Sequence, residues 1–420
     1  MIAPLGNLAN KVTPPSATSG GDYSPAALRA MKYRLRNTAG RLLPRQSLPG
    51  ADGVVREIAH RVGRCGHQLV GTSAALVLGE GGARILGVET CGSVWLCPVC
   101  SARIAEHRRS EIEKMLTGHV QGRRMRLVPS DDVFAPAEWE AYQAPPGAVL
   151  MATLTVPHRS WDNLARLRAD VAECWTRTVR GAPWDRWRAR AGIVGVIRSM
   201  EVTHGRNGWH PHLHVLILAG DISADLLDDF RVWLAERWRK FVAATGLGET
   251  NGHGVDVYRA SRVEDAGDYV AKWGCDSELT KWHVKGARGR NRSPWELLAA
   301  AADGDAEARM RWREFAAVFA GTRHITMSHG LRALYLSGVE LSDAEICAVD
   351  HGLDPAEVVT MTGETIIGRF RRQVWIRLVT AGVLTDVLEA AESGGWAAVR
   401  RLMVERGLSI GKIEWPKEKS

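Results

Sequence analysis

The sequence predicts an α+β protein with a central antiparallel sheet flanked by helices. Short β-branched and apolar segments alternate with amphipathic helical stretches between residues 149 and 259. Two strand-like segments, 192–203 and 212–218, flank the polar stretch 204–208, which is typical of a hairpin turn. Strands joined both by a hairpin and by helical crossovers favour a mixed layer in which the sheet is largely antiparallel.

Composition places the chain among globular proteins. It has 420 residues, of which 45% are apolar, enough for one large domain or two to three ordinary ones. No uninterrupted apolar run of about 18 residues occurs and the first residues lack a signal-peptide pattern, so we expect a cytoplasmic protein. The formal net charge of +8 favours polyanionic partners without requiring them.

Five segments are expected along the chain. Residues 1–60 form a basic arm rich in Pro, Gly and Ser, for which we expect no regular structure. Residues 61–120 combine a cysteine-rich element with a basic helix, and the proline-containing residues 121–147 are typical of a linker or insertion. The sheet and its helices occupy residues 148–340, and the pattern of residues 341–420 is helical throughout.

The most informative segment is 209–214, which contains a His-x-His pair. Because residues two apart in a strand point to the same face, His212 and His214 present two imidazoles side by side. Folding the hairpin about residues 206–207 places Glu201 opposite His212. Two imidazoles and a carboxylate suit Mn²⁺ better than Mg²⁺ by ligand softness, and they leave positions open for phosphate oxygens. The alternative is a chance pair on a solvated strand, which the apolar residues that follow disfavour.

A second candidate group lies in residues 263–273, a stretch typical of a short helix. On a helix Tyr269 and Lys272 share a face, so the ammonium lies within reach of the phenol or of the phosphate that it attacks. A phenol with a pKa of about 10 is a poor nucleophile at neutral pH, and a nearby cation with a metal-polarised phosphate would activate it. Asp265 is either an acid–base group or a first-turn carboxylate that the helix dipole favours. Taken alone, the pattern better fits an amphipathic helix with a core tyrosine. It supports a catalytic tyrosine only because it follows the histidine pair along the chain.

The cysteine-rich element predicts a zinc site. Cys97 and Cys100 have Cys-x₂-Cys spacing, and Cys91 precedes them by six residues. Cys65 is the expected fourth ligand, with His67 as an alternative. Four thiolates would make a closed structural Zn²⁺ site with no position left for catalysis, whereas the other interpretation is reduced core cysteines.

Three motifs in order along the chain resemble those of the HUH endonucleases. They are Thr-Leu-Thr at 153–155, His-Pro-His-Leu-His at 210–214 and Tyr-Val-Ala-Lys at 269–272. The surrounding sequence is similar to that of the replication initiators of actinobacterial rolling-circle plasmids, over about residues 60–335. Particularly similar are the cysteine element 91–100 and the segments 199–203 and 321–332. Thr153 stands where an aromatic residue is common, so we assign no catalytic role to it.

The resemblance implies an HUH-endonuclease core and a strand-transfer reaction at a plasmid's double-strand origin. The tyrosine attacks a scissile phosphate, which leaves a 5′-phosphotyrosine on the protein and a free 3′-OH for a polymerase. The implied roles are nucleophile for Tyr269, ligands of a catalytic Mn²⁺ or Mg²⁺ for His212, His214 and Glu201, and phosphate or tyrosinate support for Lys272. In some relatives an acidic residue one turn before the tyrosine takes part in the step that ends rolling-circle replication. This chain has Asp265 rather than Glu at that position. A host helicase and polymerase are the further expected partners.

Single-stranded DNA must reach the tyrosine, so basic and aromatic residues should line its path. The candidates are Arg206 and Trp209 beside the histidines, and Lys285, Arg288, Arg290 and Arg292 in a glycine- and arginine-rich loop. Each of these is equally well interpreted as an ordinary surface residue.

Three other functions remain open at this stage. An HUH-type transposase would use the same nicking chemistry on transposon ends. A zinc-containing DNA-binding repressor would keep the zinc element and the basic surface but cut nothing. A histidine-triad nucleotide hydrolase would use His210, His212 and His214, although Pro211 interrupts that pattern and such proteins need no Tyr269.

Overall fold

A computed structural model describes residues 24–49, 54–129, 137–250, 252, 254–261, 291–348 and 355–408. The twelve strands within these ranges are β1 (Gln46–Pro49), β2 (Val55–Ile58), β3 (Ser73–Gly79), β4 (Gly82–Leu86), β5 (Arg123–Val128), β6 (Glu138–Gln143), β7 (Ala148–Thr155), β8 (Gly195–Gly205), β9 (Gly208–Ala219), β10 (Val255–Arg259), β11 (Ile325–Met327) and β12 (Thr365–Arg371).

The described helices are α1 (Pro25–Leu42), α2 (Arg61–Arg64), α3 (Pro98–Val120), α4 (Leu164–Thr178), α5 (Ala182–Arg190), α6 (Ala224–Ala244), α7 (Pro294–Ala302), α8 (Ala306–Phe319), α9 (Asp343–Cys347), α10 (Pro355–Thr362), α11 (Arg372–Ala381) and α12 (Leu384–Glu405). None of the described helices is long and apolar enough to cross a membrane.

The central sheet has five strands in the order β10-β7-β9-β8-β11, and every neighbouring pair is antiparallel. The prediction of a mixed α and β protein with an antiparallel sheet is therefore confirmed. The longest strand pair of the central sheet is the β8–β9 hairpin. It turns at residues 206–207 and pairs Glu201 with His212, as the sequence register predicts. Gly208 closes this turn with φ of +82°, a conformation that favours glycine.

The two faces of the central sheet are covered differently. Apolar side chains of α4 and α6, including Trp175 and Trp238, pack on one face against residues such as Leu213. The other face carries the histidines of β9 and is called the histidine face below. Helix α3 covers only one end of it, where Met115 packs in a cluster with Leu216. The opposite end of the histidine face, where the His-x-His pair lies, is not part of this apolar cluster.

Helix α3 is joined to the sheet through a buried histidine. The Nδ1 atom of His119 lies 2.8 Å from the hydroxyl of Tyr335, and Nε2 lies 2.8 Å from the carbonyl oxygen of Ala219. Burial lowers the pKa of His119, and the charge of Arg124 lowers it further, against the opposing effect of the backbone hydrogen bonds. The folded protein therefore holds this ring neutral at pH 7.

Because the His119 ring is buried and neutral, we expect the folded protein to lose stability in mild acid. Well above pH 6.5 the ring is neutral in both states, but as the pH falls through 6.5 the unfolded chain binds a proton that the folded chain resists. We expect the free energy of unfolding in urea to fall between pH 7 and pH 5. The fall should be smaller in His119→Gln, which has no titrating ring. An identical pH dependence in the two proteins would contradict the assignment.

The N-terminal segment differs from its prediction. Residues 24–49 and 54–58 are ordered as α1 and a β1–β2 hairpin, so the expectation of no regular structure is wrong for them. Ser24 caps α1, and Leu28, Leu35 and Ala39 are buried in the same core cluster as the cysteine element. Their contacts are with residues distant in sequence, which a local pattern rich in Pro and Gly does not reveal.

The C-terminal segment was expected to be helical throughout, and this prediction is also wrong. Strand β12 pairs with β3 and completes a three-stranded sheet in the order β12-β3-β4. Helices α11 and α12 pack with this sheet through a cluster that contains Leu76, Phe370, Trp375 and Trp396. Residues 370–403 therefore share a core with part of the segment 61–120. The predicted linker 121–147 likewise contains a hairpin, β5–β6.

The packing of α11 and α12 on this sheet can be tested by truncating a buried side chain. Phe370 is 1% exposed and lies between Trp375 and Trp396, with ring centroids 6.3 and 5.5 Å away. We expect Phe370→Ala to lower the free energy of unfolding by about 3–5 kcal/mol, because it leaves a large cavity. The control is Ile376→Ala on α11, which removes a side chain of a residue 55% exposed and should cost less than about 0.5 kcal/mol. Equal urea midpoints for the two variants would contradict this packing.

Candidate metal centres

The hairpin brings three potential metal ligands together on the histidine face. The Nε2 atom of His214 lies 2.9 Å from Oε2 of Glu201, and Nε2 of His212 lies 3.5 Å from the same oxygen. One ligand atom from each of the three residues lies within 4.8 Å of the other two. Sheet pairing explains the grouping, because cross-strand partners and residues two apart point to the same face.

The electrostatics favour a charged carboxylate at this site. Burial alone would raise the pKa of Glu201, but the hydrogen bonds with His212 and His214 and their charges outweigh it and hold this pKa far below its ordinary value. The side chains of the two histidines are only 12% and 13% exposed, against 34% for Glu201. The site therefore offers an anionic carboxylate beside two imidazole rings.

Neighbouring oxygens orient the two imidazoles. Nδ1 of His212 lies 3.3 Å from the carbonyl oxygen of His210, and Nδ1 of His214 lies 3.4 Å from Oγ1 of Thr153 on β7. Contacts of this kind at the second ring nitrogen are typical of metal-binding histidines, since they fix the ring and leave Nε2 for the ion. The residues present thus fit a divalent ion such as Mn²⁺, held by Glu201, His212 and His214.

The histidine pair is the end of a longer run of rings. His158 stacks on His210 with centroids 4.6 Å apart, and His210 stacks on His212 at 5.0 Å. His212 and His214 complete the run at 4.7 Å. Burial, with the charges of His212 and His158, lowers the pKa of His210 to about 4, so this ring is neutral at pH 7. His210 thus packs between His158 and the metal-ligand candidate His212, although it is not one of the three converging residues.

A further histidine, His324, lies near Glu201 and was not singled out from the sequence. Both residues line a cavity, together with Trp95, Ser199 and Phe315. Burial lowers the pKa of His324 to about 4. The hydroxyl of Ser199 is buried and has no hydrogen-bond partner within the described ranges. His324 has no spacing relation to the His-x-His pair, and only the pairing of β11 with β8 brings it here.

The four predicted cysteines form a second, buried cluster. Sγ of Cys65 and Sγ of Cys91 each lie 3.6 Å from Sγ of Cys100, and Sγ of Cys97 lies 3.8 Å from that of Cys65. Tetrahedral zinc with Zn–S bonds of about 2.3 Å requires sulfur atoms about 3.8 Å apart. The cluster is therefore compatible with zinc. His67, the alternative ligand, instead accepts a hydrogen bond from Arg36 at 2.8 Å.

The cysteine cluster is built into the protein core. Cys97 is the N-cap of α3 and Cys100 lies in its first turn. Trp95, between the cysteines, packs edge-on against Phe315 and Phe319 of α8 and donates a hydrogen bond from Nε1 to the carbonyl of Thr322. The cysteine element thus supports the segment that leads into β11.

The basic helix of the same element is largely neutralised by its own neighbours. Arg108 lies 2.8 Å from Glu111, and Arg109 forms ion pairs with Glu106 and Glu113. These pairs reduce the positive charge that α3 offers to a polyanion.

The predicted DNA-contacting residues fall into different surroundings. Arg206 is exposed at the hairpin turn, whereas Arg292 is partly buried and pairs with Asp305 at 3.3 Å. Trp209 is only 2% exposed, so the prediction that it lines a DNA path is wrong. It alternates with His210 along β9 and therefore packs into the core cluster that contains Trp312.

Six predicted site residues lie outside the described residues, so the structure does not bear on their positions. They are Asp265, Tyr269, Lys272, Lys285, Arg288 and Arg290.

Two known proteins are similar to this chain. One is Protein rep of Streptomyces lividans, which is 28% identical over an alignment of 335 residues; the match covers 63% of this chain and 67% of that protein. The other is the Neomycin resistance protein of Streptomyces cyanogenus, which is 29% identical over an alignment of 210 residues; the match covers 41% of this chain and 43% of that protein. No family model and no solved structure matches the chain.

Proposed function

We propose that this chain is an HUH-type initiator of plasmid rolling-circle replication, which nicks and rejoins one DNA strand at the double-strand origin. The observation that carries the proposal is the convergence of Glu201, His212 and His214 on the histidine face, beyond the apolar cluster under α3. The longer of the two alignments supports it, since that relative is named a rep protein. The cysteine cluster serves as a structural Zn²⁺ site in this proposal.

The three ligands suit phosphate chemistry. Two imidazoles and one carboxylate leave coordination positions on Mn²⁺ or Mg²⁺ that phosphate oxygens can fill. A bound ion would polarise the scissile phosphate and neutralise charge that develops on it. Glu201 contributes a negative charge that strengthens ion binding, while His212 and His214 set its position through their fixed rings.

Tyr269 is the proposed nucleophile. Its phenolic oxygen attacks the phosphorus, the bond from phosphorus to the 3′ oxygen breaks, and the leaving oxygen takes up a proton to become a 3′-OH. Lys272 is proposed to stabilise the tyrosinate or the phosphate, and Asp265 to act as an acid or base when the strand is rejoined. A host polymerase would extend the 3′-OH, and a host helicase would open the duplex ahead of it.

The polarity of the covalent product tests this proposal. The full-length protein is incubated with Mn²⁺ and a single strand carrying its plasmid's origin, labelled in parallel at the 3′ or the 5′ end. We expect the 3′ label to migrate with the protein on a denaturing gel, and the 5′ label to appear in a shortened strand that a polymerase extends. Absence of an adduct on every origin strand would favour the zinc-containing repressor. An adduct confined to transposon-end strands would favour the transposase.

A further inference from the structure

The loop between β7 and α4, which contacts the hairpin that carries the metal ligands, presents an exposed tryptophan. Trp161 is 75% exposed, an unusual state for the largest apolar side chain and the highest exposure of any aromatic residue in the described ranges. The guanidinium of Arg159 lies over its ring, 5.7 Å from the centroid. A flat aromatic surface and a delocalised cation are thus offered to solvent together.

The loop holds this pair in a defined turn. The backbone N–H of Arg159 donates to Oδ2 of Asp162 at 2.7 Å, and the N–H of Asp162 donates to the carbonyl of Arg159 at 3.0 Å. Asn163 then caps α4 by accepting a hydrogen bond from the N–H of Arg166 at 3.1 Å. Trp161 therefore stands on a rigid turn at the start of a helix, which lowers the entropy cost of binding a ligand there.

The same loop is pressed against the hairpin that carries the metal ligands. A Cβ atom on Gly208 would lie 2.8 Å from the carbonyl oxygen of Arg159 and 2.9 Å from Cα of Ser160, so only glycine permits this approach. His158, from the same loop, stacks on His210, which in turn stacks on the metal-ligand candidate His212. Arg206, two residues before Gly208, adds an exposed charge on the same turn.

We propose that Trp161 and Arg159 form a stacking platform for a base of single-stranded DNA, next to the strand's scissile phosphate. The proposal rests on the proposed function and extends it by naming where the strand is held. Every base has a π face, so aromatic stacking binds single strands without demanding a sequence. Arg159 can pair with a backbone phosphate or stack on the base, while Arg206 is placed to neutralise a neighbouring phosphate. Trp161 would thus provide the aromatic contact with single-stranded DNA that the sequence analysis had assigned to Trp209, which is buried.

The test measures binding of a fluorescein-labelled 20-nucleotide mixed-sequence single strand to the full-length protein by anisotropy, without added divalent metal. We expect Trp161→Ala to raise Kd by about 5- to 150-fold without changing the salt dependence. Trp161→Phe keeps an aromatic face and should stay within about threefold of wild type. Arg159→Ala should raise Kd and also reduce the slope of log Kd against log salt by about 0.7.

The matched control for charge is Arg186→Ala, which removes an exposed arginine from α5, a helix whose Trp184 packs on the sheet face opposite the histidines. It should change Kd by less than about twofold. A Trp161→Ala protein that binds the strand as tightly as wild type would overturn the platform. Equal losses in Trp161→Ala and Trp161→Phe would also overturn it, because stacking would then not be the interaction.

The platform and the proposed function can fail separately. If wild type forms the covalent adduct but Trp161→Ala binds the strand normally, the initiator stands and the platform falls. If binding depends on Trp161 as expected but no adduct forms on any origin strand, the platform stands as a single-strand binding site and the nicking function falls. A wild-type protein that binds no single strand would overturn both.

Discussion

Replacing His212 or His214 by alanine should lower the rate of strand cleavage by about 1,000-fold or more. Each substitution removes one of three converging ligands, and a metal ion contributes several kcal/mol of charge stabilisation to a phosphoryl transition state. Both side chains lie outside the apolar cluster between α3 and the sheet, so we expect the fold to survive. Cleavage of the origin strand is measured under single-turnover conditions with Mn²⁺.

The control for this prediction is another histidine. His329 is exposed and takes no part in either ligand cluster, so His329→Ala should cleave at the wild-type rate. Calorimetric titration with Mn²⁺ should show binding to wild type and to His329→Ala, and binding at least about 10-fold weaker to the two ligand variants. Wild-type cleavage and metal affinity in both His212→Ala and His214→Ala would remove the basis for a catalytic ion at this site.

The substitution Cys97→Ser should cause the largest loss of stability. A structural zinc site contributes about 10–16 kcal/mol in small zinc domains, and that free energy is available only to the folded chain. Cys97 is fully buried at the start of α3, in a cluster shared with Trp95, Phe315 and Phe319. We expect zinc to be lost and the free energy of unfolding to fall by at least about 4 kcal/mol.

Cys174→Ala provides the matched comparison. Cys174 is also buried, at 1% exposure, but it packs in the core between α4 and the central sheet, away from the other cysteines. Its loss should cost about 1–2 kcal/mol and leave one zinc ion per chain in elemental analysis. If wild type contains no zinc, or if the two variants unfold at the same urea concentration, the cysteines are ordinary core residues.

Local patterns account for what could be predicted of the site. Side chains alternate with period two in a strand, so a turn at residues 206–207 is enough to pair Glu201 with His212. The cysteine spacing is similarly local, apart from Cys65, which had to be chosen over His67. The starts of α7 and α9 are equally local, because each has a capping box, at Ser293 and Ser342, that depends on hydrogen bonds within one turn.

Long-range packing accounts for what could not be predicted. Helix α1 is ordered by burial of one face against distant elements, and β12 forms only because β3 offers it an edge. The side of the sheet to which Trp209 points follows from the register, but whether that side is covered depends on α7 and α8. The exposure of Trp161 and the partial burial of His324 likewise depend on neighbours far away in the sequence.

A second tyrosine provides the sharpest rival to Tyr269. Tyr258 on β10 pairs with Met151, two residues before Thr153, and so lies on the histidine face. It is 39% exposed. A nucleophile on β10 would keep the metal centre but change the residue that carries the DNA.

The most direct measurement is to identify the amino acid that carries the nucleotide in the covalent adduct. After nuclease trimming, trypsin should release Tyr269 in the peptide of residues 263–272, which contains no other tyrosine, and Tyr258 in the peptide of residues 241–259. We expect mass spectrometry to find the added phosphonucleotide on the 263–272 peptide, and Tyr269→Phe to form no adduct. A nucleotide on the 241–259 peptide, or an adduct that persists in Tyr269→Phe, would contradict the assignment of Tyr269 as the nucleophile.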